Sequence, residues 1–169
     1  GNVSKLTGEN TTVGYGEGKK FYVSLDVGTV QLQNRIVTFN INGIDYDRVT
    51  DESGFAGIAI NLPVGTYLIK YSYAGEDRIE SSQGQAYVTV KEKIPTSLKW
   101  MSASKYSADS DVNFKVLLSD EKNNPLANQM VVFTINAKEY GQLTDSDGMA
   151  SLTLSLNAGT YEIVYSSDG

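Results

Sequence analysis

The sequence predicts an all-β chain built as two tandem antiparallel β-sandwich modules, 1–92 and 93–169, the second without the strand that ends the first. Three observations predict it. A 37-residue segment recurs, apolar residues within each copy alternate with period two, and Asp, Asn and Gly recur at fixed places between the alternating runs.

The repeat sets the organisation. Phe39 to Gly75 aligns without a gap on Phe133 to Gly169, and 16 of the 37 paired positions are identical. Upstream, Phe21, Val23 and Leu25 match Phe114, Val116 and Leu118 at an offset one residue smaller. Within the copies, Ile58, Ile60 and Leu62 alternate with small or polar residues, as do Leu152, Leu154 and Leu156. Tyr67, Ile69 and Tyr71 share one face, and Tyr161, Ile163 and Tyr165 repeat it. Phe39 and Ile41, like Phe133 and Ile135, mark a further half-buried strand. Thr50-Asp51 to Gly54 and Thr144-Asp145 to Gly148 are expected to be tight hairpins, because Asp bonds its own backbone and Gly accepts positive φ. Lys91 to Thr96, with one proline, reads as a semi-rigid linker.

The copies differ at their ends. The first continues into a strand in which Ala86, Val88 and Val90 alternate with Tyr87 and Thr89; the second stops at the equivalent of Gly75. Burying two valines and an alanine contributes about 4–6 kcal/mol, against a typical domain stability of about 5–15 kcal/mol. A second sandwich lacking that strand is expected to be marginal, with an apolar groove and bare edges. Three sources of cover are open: a strand lying outside this segment, a strand donated by another chain, or repacking of Trp100 and its neighbours over the gap. The natural donor is the arm Gly1 to Thr12, since Lys5 falls opposite Leu98 in the alignment. The strand-donation residues are therefore Val3 and Leu6 in the arm and Val13 next to it, with Ala86, Val88 and Val90 as the pattern to be imitated.

Composition narrows the functional classes. The net charge of −6 divides evenly, 8 basic and 11 acidic residues before residue 93 and 6 and 9 after it. No basic stripe exists for phosphate, so no nucleic-acid partner is expected. Histidine and cysteine are absent, which removes Ser-His-Asp and Cys-His chemistry, thiolate or imidazole zinc sites and disulfides. The apolar runs are far shorter than a membrane span, so no membrane insertion is expected in this segment, and no leader precedes Gly1. The chain is expected not to be an enzyme and to need no cofactor.

Candidate sites each have a plainer alternative. Asp145-Ser146-Asp147-Gly148 resembles the start of a calcium loop, but the closing acid is missing, so Asp145 and Asp147 are weak metal candidates beside an ordinary Asp-Gly turn. Asp45, Asp47, Asp51 and Glu52 are the densest carboxylates and read as solvated turn residues rather than a glycosidase pair. Gly14 to Lys20 fails the phosphate-loop spacing and leads into a strand. Asn2 and Asn10 lie in glycosylation sequons. Tyr67 and Tyr161 are expected to bond nearby backbone as tyrosine corners, whereas Tyr22, Tyr73 and Tyr87 are the better candidates for a sugar-stacking surface.

The run from Pro125 to Ser166, PLANQMVVFTINAKEYGQLTDSDGMASLTLSLNAGTYEIVYS, resembles the bacterial and archaeal immunoglobulin-like repeats of cell-surface adhesins. These include the invasin and intimin type and the adhesin-like proteins of methanogens. The first copy keeps the same marks in Phe39, Thr50-Asp51, Gly54, Ala56 and Gly65-Thr66-Tyr67. The resemblance implies immunoglobulin-like sandwiches serving as non-catalytic structural or adhesive stalk modules, at the cell surface or outside it. Its partners would be neighbouring modules or copies of itself, or a cell-surface glycan or protein. Two other readings stay open: a pilus-like filament subunit assembled by donor-strand complementation, and a carbohydrate-binding accessory module. The antibody-type Cys-Trp-Cys core is missing, and Tyr71 and Tyr165 stand where self-crosslinking adhesin domains carry an acidic residue.

Overall fold

The computed structural model describes residues 2–106 and 111–167. The chain divides into two compact units, Gly1–Lys93 and Ile94–Gly169. Unit 1 contains β1 (Ser4–Thr7), β2 (Thr11–Gly14), β3 (Lys20–Val27), β4 (Val30–Gln31), β5 (Ile36–Ile41), β6 (Ile44–Val49), β7 (Phe55–Ala59), β8 (Gly65–Tyr73) and β9 (Ser82–Lys91). Unit 2 contains β10 (Thr96–Trp100), β11 (Asp111–Asp120), β12 (Met130–Ile135), β13 (Lys138–Leu143), β14 (Met149–Ser155) and β15 (Ile163–Ser166).

In unit 1, β3 pairs with β1, β4 and β7 in one sheet, and the second sheet runs β2-β9-β8-β5-β6. Every pairing is antiparallel except β2 with β9, which is parallel. Period-two alternation turns Phe21, Val23 and Leu25 of the first sheet toward Phe39, Ile69 and Val88 of the second, and all six are fully buried. Phe21 meets Phe39 edge to face, with ring centroids 6.0 Å apart. This is the two-sheet immunoglobulin-like sandwich.

Unit 2 repeats the plan with fewer strands. Its sheets run β10-β11-β14 and β13-β12-β15, so β10 to β15 stand for β1, β3, β5, β6, β7 and β8. Among the described residues, the places of β2, β4 and β9 carry no strand. Its core gathers Phe114, Val116, Val131, Phe133, Ile135 and Ala150.

Two expectations need correcting. The Thr-Asp turns are tight, with Gly54 N–H on the Asp51 carbonyl and Gly148 N–H on the Asp145 carbonyl, both at 2.9 Å. They are not hairpins, however: each carries the chain from one sheet to the other, β6 to β7 and β13 to β14. The hairpin between β5 and β6 is instead closed by Asn42-Gly43, with φ of 52° and 81°. Its counterpart is Asn136-Ala137, where the alanine is held at φ 62°. The first strands also align differently. Leu6 pairs with Leu25 as Leu98 pairs with Leu118, so Leu6, not Lys5, is the counterpart of Leu98. That places Gly8 in the position of Trp100.

Candidate functional site

The repeated polar residues serve the fold. Thr50 is buried and its Oγ1 accepts the Arg35 N–H at 3.0 Å. Thr144, equally buried, donates its hydroxyl to the Leu126 carbonyl at 2.6 Å and accepts the Gln129 N–H at 3.0 Å. Each threonine thus latches the loop that leads into β5 or β12. Asp51 Oδ1 accepts the N–H groups of Ser53 and Phe55, and Asp145 Oδ1 those of Asp147 and Met149, at 2.9 and 3.0 Å in both units. One carboxylate oxygen of Asp145 therefore caps its own turn. No cluster of three or more acidic, His or Cys side chains exists among the described residues. Tyr67 donates to the Pro63 carbonyl at 2.7 Å and Tyr161 to the Asn157 carbonyl at 2.6 Å, the expected tyrosine corners.

Of the three tyrosines proposed for a surface, only Tyr87 is well exposed. Tyr22 is half-buried over Gly57. Tyr73 is buried and its hydroxyl donates to Glu76, which also receives Arg35 Nε at 2.8 Å. Burial, then the Glu76 bond, push the Tyr73 hydroxyl up to about 12; the Arg35 bond, then the Tyr73 bond, bring the Glu76 carboxyl down to about 2. The two sequon asparagines are exposed, although Asn10 Oδ1 accepts the Tyr87 N–H at 2.9 Å.

The arm proposed as a donor is laid into its own unit. Leu6 and Val13 are buried in the unit 1 core through β1 and β2, and only Val3 stands free at 70% exposure. Ala86, Val88 and Val90 are buried on β9. Donating residues 2–12 to another chain would strip Leu6 from this core and take Thr11 and Thr12 out of β2, the strand that holds Val13, which corrects the choice of that arm as the natural donor.

The remaining feature is a groove of about 670 Å³ in unit 2, lined by Trp100, Tyr106, Phe114, Leu156, Ile163 and Tyr165 among others. In unit 1 the corresponding floor is roofed by β9, with Gly84 opposite Tyr71, Ala86 opposite Ile69, Val88 opposite Tyr67 and Val90 opposite Gly65. Ile69 and Tyr71 are then buried, whereas their counterparts Ile163 and Tyr165 are half-exposed. The backbone responds too. β8 spans nine residues, but its first four pair only with β9, since β5 reaches only Ile69 to Ser72. Residues 159–162, the counterparts of those four, are not in a strand, and β15 is four residues long.

Aromatic residues partly fill the space. Trp100 stacks on Tyr165 and tilts against Phe114, both at 5.6 Å, and Tyr106 meets Phe114 edge-on at 5.9 Å. In unit 1 the place of Trp100 is taken by Gly8, where an added Cβ would lie 2.9 Å from the Tyr71 hydroxyl. An added Cβ on Gly84 would lie 2.7 Å from the same ring. Tyr71 is therefore packed between two glycines, and Tyr165 has a tryptophan on one of those sides. Repacking by Trp100 was one of three alternatives open from the sequence; the part taken by Tyr106 was not legible there, because only the fold brings that residue to Phe114.

No protein-family model matches the chain, and no curated protein matches it. Solved structures similar to it include fibronectin(III)-like modules of Clostridium thermocellum CbhA, at 16% identity over 96% of this chain and 83% of that one, TM-score 0.37. The titin domains z1z2 in complex with telethonin are similar at 12% identity over 96% and 93%, TM-score 0.39. A 1.5-MDa bacterial ice-binding adhesin is similar at 12% over 97% and 64%, TM-score 0.33. The sheet order itself establishes what kind of chain this is: two immunoglobulin-like β-sandwich units in tandem.

Proposed function

We propose that the chain is a non-catalytic structural and adhesive segment of an extracellular surface protein, its sandwiches acting as stalk or display modules. The observation that carries this reading is the use made of the repeated residues. Phe39 and Phe133, Ile41 and Ile135 pack cores; Thr50 and Thr144, Asp51 and Asp145 fasten turns; Tyr67 and Tyr161 fasten corners. What the tandem copies share is a scaffold, and function lives in sites grafted onto scaffolds.

The test is a turnover screen on glycan and peptide substrates beside a retention assay of bead-coupled chain on cell-surface glycans and proteins. Turnover is expected to stay at the blank. Hydrolysis that disappears in Asp51→Asn or Asp145→Asn would overturn the reading.

A second reading, a filament subunit assembled by strand donation, draws support from the open edge of β15 and none from the arm before β2. Light scattering distinguishes it: monomers at all concentrations speak for a stalk segment, and growing polymers for a filament.

A further inference from the structure

We infer that Asn10 carries an N-linked glycan whose first sugar lies on the exposed ring of Tyr87, the two residues together forming a modification site of unit 1. The inference rests on the reading of the chain as an extracellular segment, because N-glycans are added on the route out of the cell.

Both sequons of the chain, Asn2-Val3-Ser4 and Asn10-Thr11-Thr12, lie within its first twelve residues, and residues 93–169 hold none. The second sits beside an aromatic ring. β2 pairs in parallel with β9, Thr11 opposite Val88, so Asn10 comes level with Tyr87 just before β2 begins. There its side chain does what the backbone of a longer β2 would do, and Oδ1 accepts the Tyr87 N–H at 2.9 Å. That bond engages the oxygen end of the amide. Nδ2, the atom that bears the sugar, has no bond among the described residues.

Transfer forms a bond from Nδ2 to the anomeric carbon of a sugar held on a lipid pyrophosphate. The bond from that carbon to the pyrophosphate oxygen breaks, the pyrophosphate keeps the electron pair, and Nδ2 gives up one of its two protons. Oδ1 is untouched, so its bond to Tyr87 survives the modification.

The outer face of the sheet supplies the resting place. Alternation along β9 buries Ala86 and Val88 and turns Tyr87 outward, 52% exposed. Opposite it on β8 stands Leu68, also exposed. One face of a pyranose is made of C–H groups, and these leave water against such a surface. Gln85, Thr66 and Thr89 surround the pair with neutral hydrogen-bonding side chains. Unit 2 has neither half of the arrangement, for it holds no sequon and Glu162 stands at the place of Leu68. Asn2 offers less: its sequon hydroxyl, on Ser4, is buried and donates to the Glu80 carbonyl at 2.6 Å, whereas Thr12 is only half-buried.

The experiment produces the 169-residue chain carrying Asn2→Gln in two ways, by secretion from a glycosylating eukaryotic host and in the bacterial cytosol, so that both samples share one sequence. An endoglycosidase then trims the secreted sample to its first sugar. Peptide mass spectrometry is expected to place one N-acetylhexosamine on Asn10. In NMR spectra the ring protons of that sugar should be shifted upfield by Tyr87, and unit 1 should melt higher than in the bacterial sample. Tyr87→Ala should keep the occupancy and abolish both the upfield shift and the gain in melting temperature, while Tyr87→Phe should retain them.

An empty Asn10 on the secreted, folded chain, from a host that fills the sequon of a co-expressed control glycoprotein, would overturn the inference. So would a glycan at Asn10 whose proton shifts and melting gain are unchanged by Tyr87→Ala. Either result leaves the stalk reading standing, since the turnover screen tests that reading on the unglycosylated chain.

Discussion

Units 1 and 2 carry the same floor residues and do different things with them. Tyr67, Ile69 and Tyr71 are repeated as Tyr161, Ile163 and Tyr165, yet only the first set is roofed. Ile69 is 0% exposed and Ile163 half-exposed. Identical side chains on a shared sheet plan thus contribute unequally, because an apolar residue stabilises in proportion to the area removed from water. The difference also reaches the backbone, since the first half of β8 owes its strand geometry to β9 alone. Burial and secondary structure here follow whether a described strand lies beside β8 or β15.

The largest expected contrast lies at that floor. Ile69→Ala should destabilise unit 1 by about 2–5 kcal/mol, and Ile163→Ala should cost unit 2 less than half as much. Two-step denaturant unfolding, with Trp100 reporting unit 2, measures both; equal losses would break the comparison.

The latch threonines reverse the order. Thr144 makes two hydrogen bonds and Thr50 a single backbone one, to Arg35. Thr144→Val should cost about 1–3 kcal/mol by leaving a buried carbonyl and N–H unpaired, and Thr50→Val should cost less. Thermal melts that rank them the other way would contradict the assignment.

A smaller effect sits at the matched hairpins. Ala137 holds φ 62° where unit 1 has Gly43. Ala137→Gly should stabilise unit 2 by about 1 kcal/mol, and Gly43→Ala should destabilise unit 1 by a similar amount. Chemical denaturation of each variant checks the sign.

The last contrast is in pH dependence. The Arg35–Glu76–Tyr73 cluster belongs to unit 1, for Gln129 and Ser167 stand at the places of Arg35 and Tyr73 in unit 2. Glu76 is held at about 2 in the folded chain against an ordinary 4.5. Its contribution is therefore complete above about 4.5 and fades as pH falls toward 2. Tyr73, raised from 10 to about 12, contributes fully below 10 and loses that contribution as pH rises toward 12. Glu76→Gln should flatten the acid limb of the unit 1 transition and leave that of unit 2 unchanged.

Local and repetitive features were legible in the sequence. Period-two alternation marked the core strands, the repeat marked the copies, and the G-T-Y run marked the tyrosine corners. Features set by distant neighbours were not. β2 pairs in parallel with a strand some 75 residues away, and no local pattern announces such a pairing. Tyr73 looked like a surface residue because Arg35, which completes its cluster with the nearby Glu76, comes from a distant segment. The Thr-Asp turns looked like hairpins because turn chemistry specifies a reversal without saying which sheet the chain enters next. For the groove, the lack of a counterpart of β9 within these residues was visible from the repeat. The part played by Tyr106 was not, since it depends on how the chain after β10 lies against Phe114.

The parallel pairing of β2 with β9 also decides how each unit answers a pull. Tension toward the chain's two ends, once it reaches β2 and β9, drags these parallel strands in opposite directions along their length. The backbone bonds between Thr11–Gly14 and Val88–Lys91, with Tyr15 N–H on the Lys91 carbonyl at 2.6 Å, are then loaded together in shear. In unit 2, β15 lies antiparallel to β12, and tension applied beyond Ser166 meets the Val132–Ser166 pair first, then each pair in turn. Among the described residues, the pair loaded in shear belongs to unit 1.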